Sequence, residues 1–136
     1  MKLLLDTNII VDVLSQRDGY ETSLQLIKHC ELGHIEGFVS AITITNVMYI
    51  LRKHIAPNLV REVVQTLLLM VEVANVTKSD ITFGFTSEMK DYEDAVQAAC
   101  AARIKADYIV TRNIKDFAKS PIPAILPSEA LDYYTT

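Results

Sequence analysis

The side chains able to do chemistry in this chain fall into short polar stretches. These are Asp6 with Asn8, Ser40 through Asn46, Asp91 with Glu93 and Asp94, and Asn113 with Asp116. Each follows an apolar run or opens a helical pattern. Leu3-Leu4-Leu5 ahead of Asp6 reads as a short buried strand, and the abrupt change to Asp6-Thr7-Asn8 as its exit from the core. Tyr108-Ile109-Val110, followed by Thr111-Arg112-Asn113, has the same form. Ligands of an open parallel sheet bind beyond the carboxyl ends of its strands. Asp6, Asp94 and the Asn113/Asp116 pair can therefore meet at one sheet edge. Two carboxylates about 4 Å apart repel by roughly 4 kcal/mol at an effective dielectric near 20, so such a cluster must share protons or hold a cation. An all-oxygen donor set suits a hard divalent ion, Mg²⁺ or Mn²⁺. Water kept on such an ion can act as a nucleophile on phosphorus.

Every one of these acids also has a structural reading. Asp6 can cap a helix beginning at Ile9, and Asp91 and Asp94 stand as N-cap and N3 of a later helix, a pair that favours the helix dipole whatever the function. Asn113 and Asp116 repeat that spacing ahead of a turn. Asp12 lies far enough into the first helix to be solvated. Glu93, about 100° round the helix from Asp94, reads as a solvated face. Asp107 is given no role.

The elements that must position these groups alternate. Ile9, Ile10, Val13 and Leu14 continue from Asp6 at helical spacing until the Asp18-Gly19 turn, and a second helical pattern runs from Tyr20 to Gly33. Phe38-Val39 reads as a strand closing at Ser40. Ile44, Val47, Met48 and Leu51 mark a helix ending near His54, and Pro57 opens another. Val73 to Val76 reads as a strand, and Thr77 with Asp80 as the cap of a helix that Gly84 weakens. From Asp91 to Lys105, the Ala95, Ala98, Ala99 and Ala102 stripe permits close packing, with Gln97, Ala101 and Lys105 on the wetter side. Ala124-Ile125-Leu126 is an expected edge strand before a final helix. This alternation implies an α/β/α sandwich around a mostly parallel sheet, in a single domain spanning residues 1–136.

Composition narrows the classes. With 136 residues, 50% of them hydrophobic, the chain can bury a core of its own. A net charge of −4 argues against unspecific coating of nucleic acid but leaves room for a basic rim around a metal-neutralised acidic site. Cys30 and Cys100 stand alone, which reads as two buried thiols in a reducing cytoplasm. The apolar start breaks off at Asp6, too early for a signal peptide, and the run from Leu67 to Val71 is far short of the roughly 18 residues of a membrane span. No membrane association is expected.

Taken together, Leu3-Leu4-Leu5-Asp6-Thr7-Asn8, Asp91 through Ala99, and Ile109 through Phe117 resemble the motifs of the PIN-domain family, closest in look to the small bacterial proteins akin to VapC toxins. The resemblance implies a metal-dependent ribonuclease on a parallel sheet of about five strands. It further implies a common tendency to form homodimers and an antitoxin partner where the protein is a toxin. Its acids would be Asp6 and Asp94, with the fourth position on Asn113 and Asp116 as an alternative or additional ligand. Thr111 matches the family's hydroxyl beside the site, and Asn8 a polar residue supporting the first acid. Asn46 stands where the family pattern has a glutamate, which removes a negative charge and weakens the expected metal site. Arg112 and Lys115 flank the last motif and are candidates for RNA phosphates. The alternative is a PIN-fold module that binds RNA or protein with little or no catalysis.

Overall fold

In the computed structural model, residues 1–134 are described. Strand β1 (Lys2–Leu5) leads into helices α1 (Thr7–Ser15) and α2 (Tyr20–Glu31), then β2 (Glu36–Ser40), α3 (Ala41–Leu51) and α4 (Pro57–Leu67). Strand β3 (Glu72–Ala74) is followed by α5 (Lys78–Thr86), α6 (Tyr92–Arg103) and β4 (Tyr108–Val110). A 3₁₀ turn (Ile114–Phe117), β5 (Ala124–Ile125) and α7 (Pro127–Asp132) complete the order. The strands form one five-stranded sheet in the order β3-β2-β1-β4-β5, and every pairing is parallel. Among the described residues, no helix is long and apolar enough to cross a membrane.

The leucines of β1 fill both sides of this sheet, because successive side chains of a strand point to opposite faces. Leu3 and Leu5 enter a core with residues from α1, α2, α3 and α4, among them Ile10, Leu26, Val47 and Val64. Leu4 enters a second core with Ala95, Ala98 and Ala101 of α6, together with Ile109 and Phe117. All three leucines are fully buried, each stabilising the fold by about 1.5–3 kcal/mol. A strand buried on both faces carries no polar alternation, which is why β1 reads as a continuous apolar run.

Helix starts follow local chemistry. Pro57 stands in the first turn of α4, and Thr77 and Asp80 form a reciprocal capping box on α5. Gly84 does not break α5, which runs on to Thr86. The glycine is needed for packing, since a Cβ there would lie 2.3 Å from Cε1 of the Tyr92 ring. The expectation of a wetter α6 face at Gln97 and Ala101 fails, because both are buried. Ala101 joins the second core, and Gln97 finds polar partners inside the molecule.

The strand order reverses at β1: the chain leaves it towards β2 and β3 on one side and later adds β4 and β5 on the other. Such a switch point opens a crevice beyond the carboxyl ends of the two central strands. Here those ends are Leu5 of β1 and Val110 of β4, which are paired in register. The residues that follow them, Asp6 and Thr111, are therefore neighbours.

Close approach of α2 to β2 depends on Gly37, where an added Cβ would stand 2.4 Å from Cys30 Sγ and 3.1 Å from Cys30 Cβ. Gly37→Ala is expected to lower stability by about 1–3 kcal/mol through overpacking. In urea unfolding, Cys30→Ala should recover at least half of that loss when combined with it, and strict additivity of the two effects would show the contact is not the cause.

Candidate functional site

Asp6 is the fixed point of the crevice. It is only 4% exposed, yet it carries a carboxylate whose oxygens are occupied by donors from three other elements. Oδ1 accepts from the Thr7 backbone N–H at 2.8 Å and from Gln97 Nε2 of α6 at 2.8 Å. Oδ2 accepts from the Thr111 hydroxyl at 2.8 Å, and that hydroxyl also receives the Asn113 N–H at 3.1 Å. Asp6 is thus both the N-cap of α1 and a wall of the crevice. Burial pushes its pKa up, while Gln97, Thr111, the Thr7 amide and the charge of Arg112 pull it back.

A cleft of about 290 Å³ opens above it, lined by Asp6, Thr7, Asn8, Val11, Arg17, Ile50, Asp91, Glu93, Asp94, Asn113 and Asp116. Asp6, Asn8, Asp94, Asn113 and Asp116 are thereby brought together on one sheet edge. Asp94 sits in the first turn of α6, its backbone N–H bonded to the Asp91 carboxylate at 2.9 Å, so capping and site geometry coexist. Its own carboxyl is pushed up to about 7, first by burial and then by the charges of Asp6, Asp91, Asp116 and Glu93. Asp116 is exposed on the 3₁₀ turn. Asn46 is half-buried on α3 and does not line the cleft, although Thr43 and Ile50, one turn to either side, reach it or its walls.

Several positions depart from what the sequence suggests. Glu93 is half-buried and lines the cleft, with the Thr7 hydroxyl 3.5 Å from Oε1, because the turn of α6 aims it across towards α1. Asp12 is buried at 4% exposure rather than solvated. It holds Arg112 Nε at 2.6 Å and lies 3.8 Å from Arg17 Nη1. This ion pair ties the segment after β4 to α1, so the Arg112 guanidinium is partly committed within the protein. Lys115 is exposed and lines a neighbouring cleft with Asp91 and Asp116. Gln97 and Thr43 are site residues that periodicity misses. The signal available for Gln97 is that it is the one amide among the small and apolar residues of 95–102. Thr43 Oγ1 lies 2.8 Å from the Thr7 hydroxyl and 3.4 Å from Gln97 Oε1.

The donors present fit a hard cation. Asn8 Oδ1 is buried without a hydrogen-bond partner, and no described residue donates a hydrogen bond to the carboxylates of Asp94 or Asp116. A buried acceptor left unpaired is costly, as is crowded negative charge, and one positive ion would relieve both. Even so, among the described residues no three His, Cys, Asp or Glu side chains stand close enough to form a ready ligand set. The donors would have to draw together around an ion.

Comparison with known proteins places this arrangement. A family model described as the PIN domain matches residues 2–115. The chain belongs to the PIN-domain family. No curated protein matches its sequence. Among solved structures, VapBC2 from Rickettsia felis, bound to a DNA fragment from its promoter, superposes with a TM-score of 0.72 at 20% identity, covering 93% of this chain and 98% of that one. DNA-bound VapBC from Salmonella typhimurium gives 0.73 at 20% identity with the same coverage of 93% and 98%. A toxin–antitoxin complex from Klebsiella pneumoniae gives 0.67 at 26% identity, covering 92% of this chain and 97% of that one. The sheet of this PIN domain, five-stranded and parallel with helices on both faces, is the fold these structures share.

The crowding at Asp94 has a pH signature. Its pKa is raised in the folded, metal-free protein, so the folded state binds more protons than the unfolded one between the ordinary carboxylate range and about 7. The contribution of Asp94 is therefore least unfavourable at low pH and grows more destabilising as pH rises to about 7. Asp94→Asn should raise the melting temperature of chelator-treated protein by a few degrees at pH 8 and by clearly less at pH 5. An equal change at both pH values would mean that Asp94 is not crowded.

Proposed function

We propose that this PIN domain is a divalent-metal ribonuclease and the toxin half of a toxin–antitoxin pair acting in the cytoplasm. The observation that carries the reading is the single cleft at the switch point of the sheet, where Asp6, Asp94 and Asp116 meet the amides of Asn8 and Asn113. Asp6, Asp94, Asn113 and Asp116 are the residues that would hold Mg²⁺ or Mn²⁺. A bound ion would supply an activated water and neutralise charge developing on the phosphodiester.

The chain's own residues do the positioning. Gln97 and Thr111 fix the two oxygens of Asp6, and the rigid strand end behind it keeps that donor in place. Thr111 also orients the backbone at Asn113. Asp94 and Asp116 keep free carboxylates. On the rim, Arg17 lines the cleft and Lys115 is exposed beside it, so both can meet RNA phosphates, joined by the outer face of Arg112.

The antitoxin part of the reading rests on the resemblance of the fold to proteins solved in toxin–antitoxin complexes. An apolar groove of about 510 Å³ between α1, α2 and α4, lined by residues such as Leu14, Tyr20, Leu24, Leu59 and Val63, has the character of a helix-binding surface. Exposed Leu59, Leu68 and Leu69 on and after α4 favour an assembly, a homodimer or a partner complex, that covers them.

One observation favours a second reading, a PIN-fold module that binds RNA or protein without cutting. Asn46 brings no charge to the α3 side of the cleft. RNA binding that persists in chelator, with no cleavage, would support that alternative. The ribonuclease reading expects purified protein to cut RNA on Mn²⁺ titration and Asp6→Asn to reduce the rate by about 100-fold or more. Absence of cleavage with every divalent metal tried would remove it.

A further inference from the structure

We propose that Glu93 supplies the carboxylate on the α1–α3 side of the cation site, taking the part that the uncharged α3 wall leaves open. The inference rests on the metal-dependent reading above and concerns which side chain completes the donor set.

The walls of the cleft differ in charge. Asp6 forms the floor, Asp94 the α6 wall, and Asn113 with Asp116 the wall after β4. The wall offered by α3 is neutral. Thr43 and Ile50 are in contact with the cleft or its lining, and residues three or four apart share a helix face, so position 46 lies on the same stripe. The residue there is an asparagine. A cation held only by Asp6, Asp94 and Asp116 would therefore lack an anionic donor on that side.

Glu93 is placed to provide it. It precedes Asp94 in the first turn of α6, lines the same cleft, and reaches across to the Thr7 hydroxyl at 3.5 Å. That hydroxyl in turn lies 2.8 Å from the Thr43 hydroxyl of α3. Glu93 thus ends where α1, α3 and α6 meet. No described cation pairs with Glu93, and its one described hydrogen-bond donor, the Thr7 hydroxyl, is at the long limit. A carboxylate with no counter-ion, facing other carboxylates, is a poor structural element and a good ligand.

The test is calorimetric titration of purified protein with Mn²⁺, without RNA, so that binding is read independently of activity. Ligand charge count tunes affinity for hard cations, so Glu93→Gln should weaken Mn²⁺ binding about tenfold. Adding Asn46→Glu to that variant should restore affinity to within about threefold of the original protein, because the same charge then arrives from α3. Glu93→Asp, which keeps the charge, should fall between. Asp6→Asn is the reference for loss of the site. If Asp6→Asn loses binding while Glu93→Gln binds as the original protein does, the role of Glu93 is overturned and the metal reading stands. Should the Glu93→Gln loss vanish at raised ionic strength, Glu93 acts only through long-range charge and the inference is likewise overturned. If the original protein binds no Mn²⁺, the metal reading fails and this inference with it.

Discussion

The structure depends on keeping one carboxylate buried at the end of its central strand. Asp6 is removed from water, and an unpaired carboxylate there would cost several kcal/mol. Donors from α1, α6 and the residue after β4 offset that cost, so meeting the needs of Asp6 brings these elements into register. The parallel pairing of Leu5 with Val110 sets the Thr111 hydroxyl beside it, and the alanine face of α6 lets that helix come close enough for Gln97 to arrive. The same hydrogen bonds that stabilise the fold therefore hold the cleft carboxylate of Asp6 in one orientation. Stability and preorganisation have a common origin at this residue.

Around that point the acids fall into two groups with different physics. Asp6 and Asp12 are buried and paired, the first by neutral donors, the second by Arg112 and Arg17. Among the described residues no cation pairs with Asp94, Asp116 or Glu93, and burial together with its acidic neighbours pushes the Asp94 carboxyl up to about 7. The paired acids build the frame. The unpaired ones store electrostatic repulsion that a cation would release, so any cation affinity would depend on the protonation of the site. The ion pair of Asp12 with Arg112 connects the two groups, since it pins the segment from which Asn113 projects.

Much of this was legible in the sequence because it depends on local signals. The uninterrupted leucines of β1, the caps at Thr77 and Asp91, Pro57 in the first turn of α4 and the turn at Asp18-Gly19 each act over a few residues, and the elements lie where these signals put them. Strand ends followed by polar residues also pointed to Asp6, Asn113 and Asp116, since a parallel sheet gathers its carboxyl ends on one edge. Periodicity alone misplaces Gln97 and Glu93 and leaves the state of Asp12 open. A helical pattern tells which residues share a face but not what that face meets. Whether Gln97 is wet or buried turns on a carboxylate far away in the sequence, at Asp6. The direction of Glu93 depends on how α6 sits against α1 and α3, and the burial of Asp12 on an arginine beyond β4. The sequence by itself determined the elements, their order and the acids offered to one edge of the sheet. Only the tertiary structure decided which of those acids are clamped and which are free, because desolvation and charge pairing are set by distances between segments that no local pattern encodes.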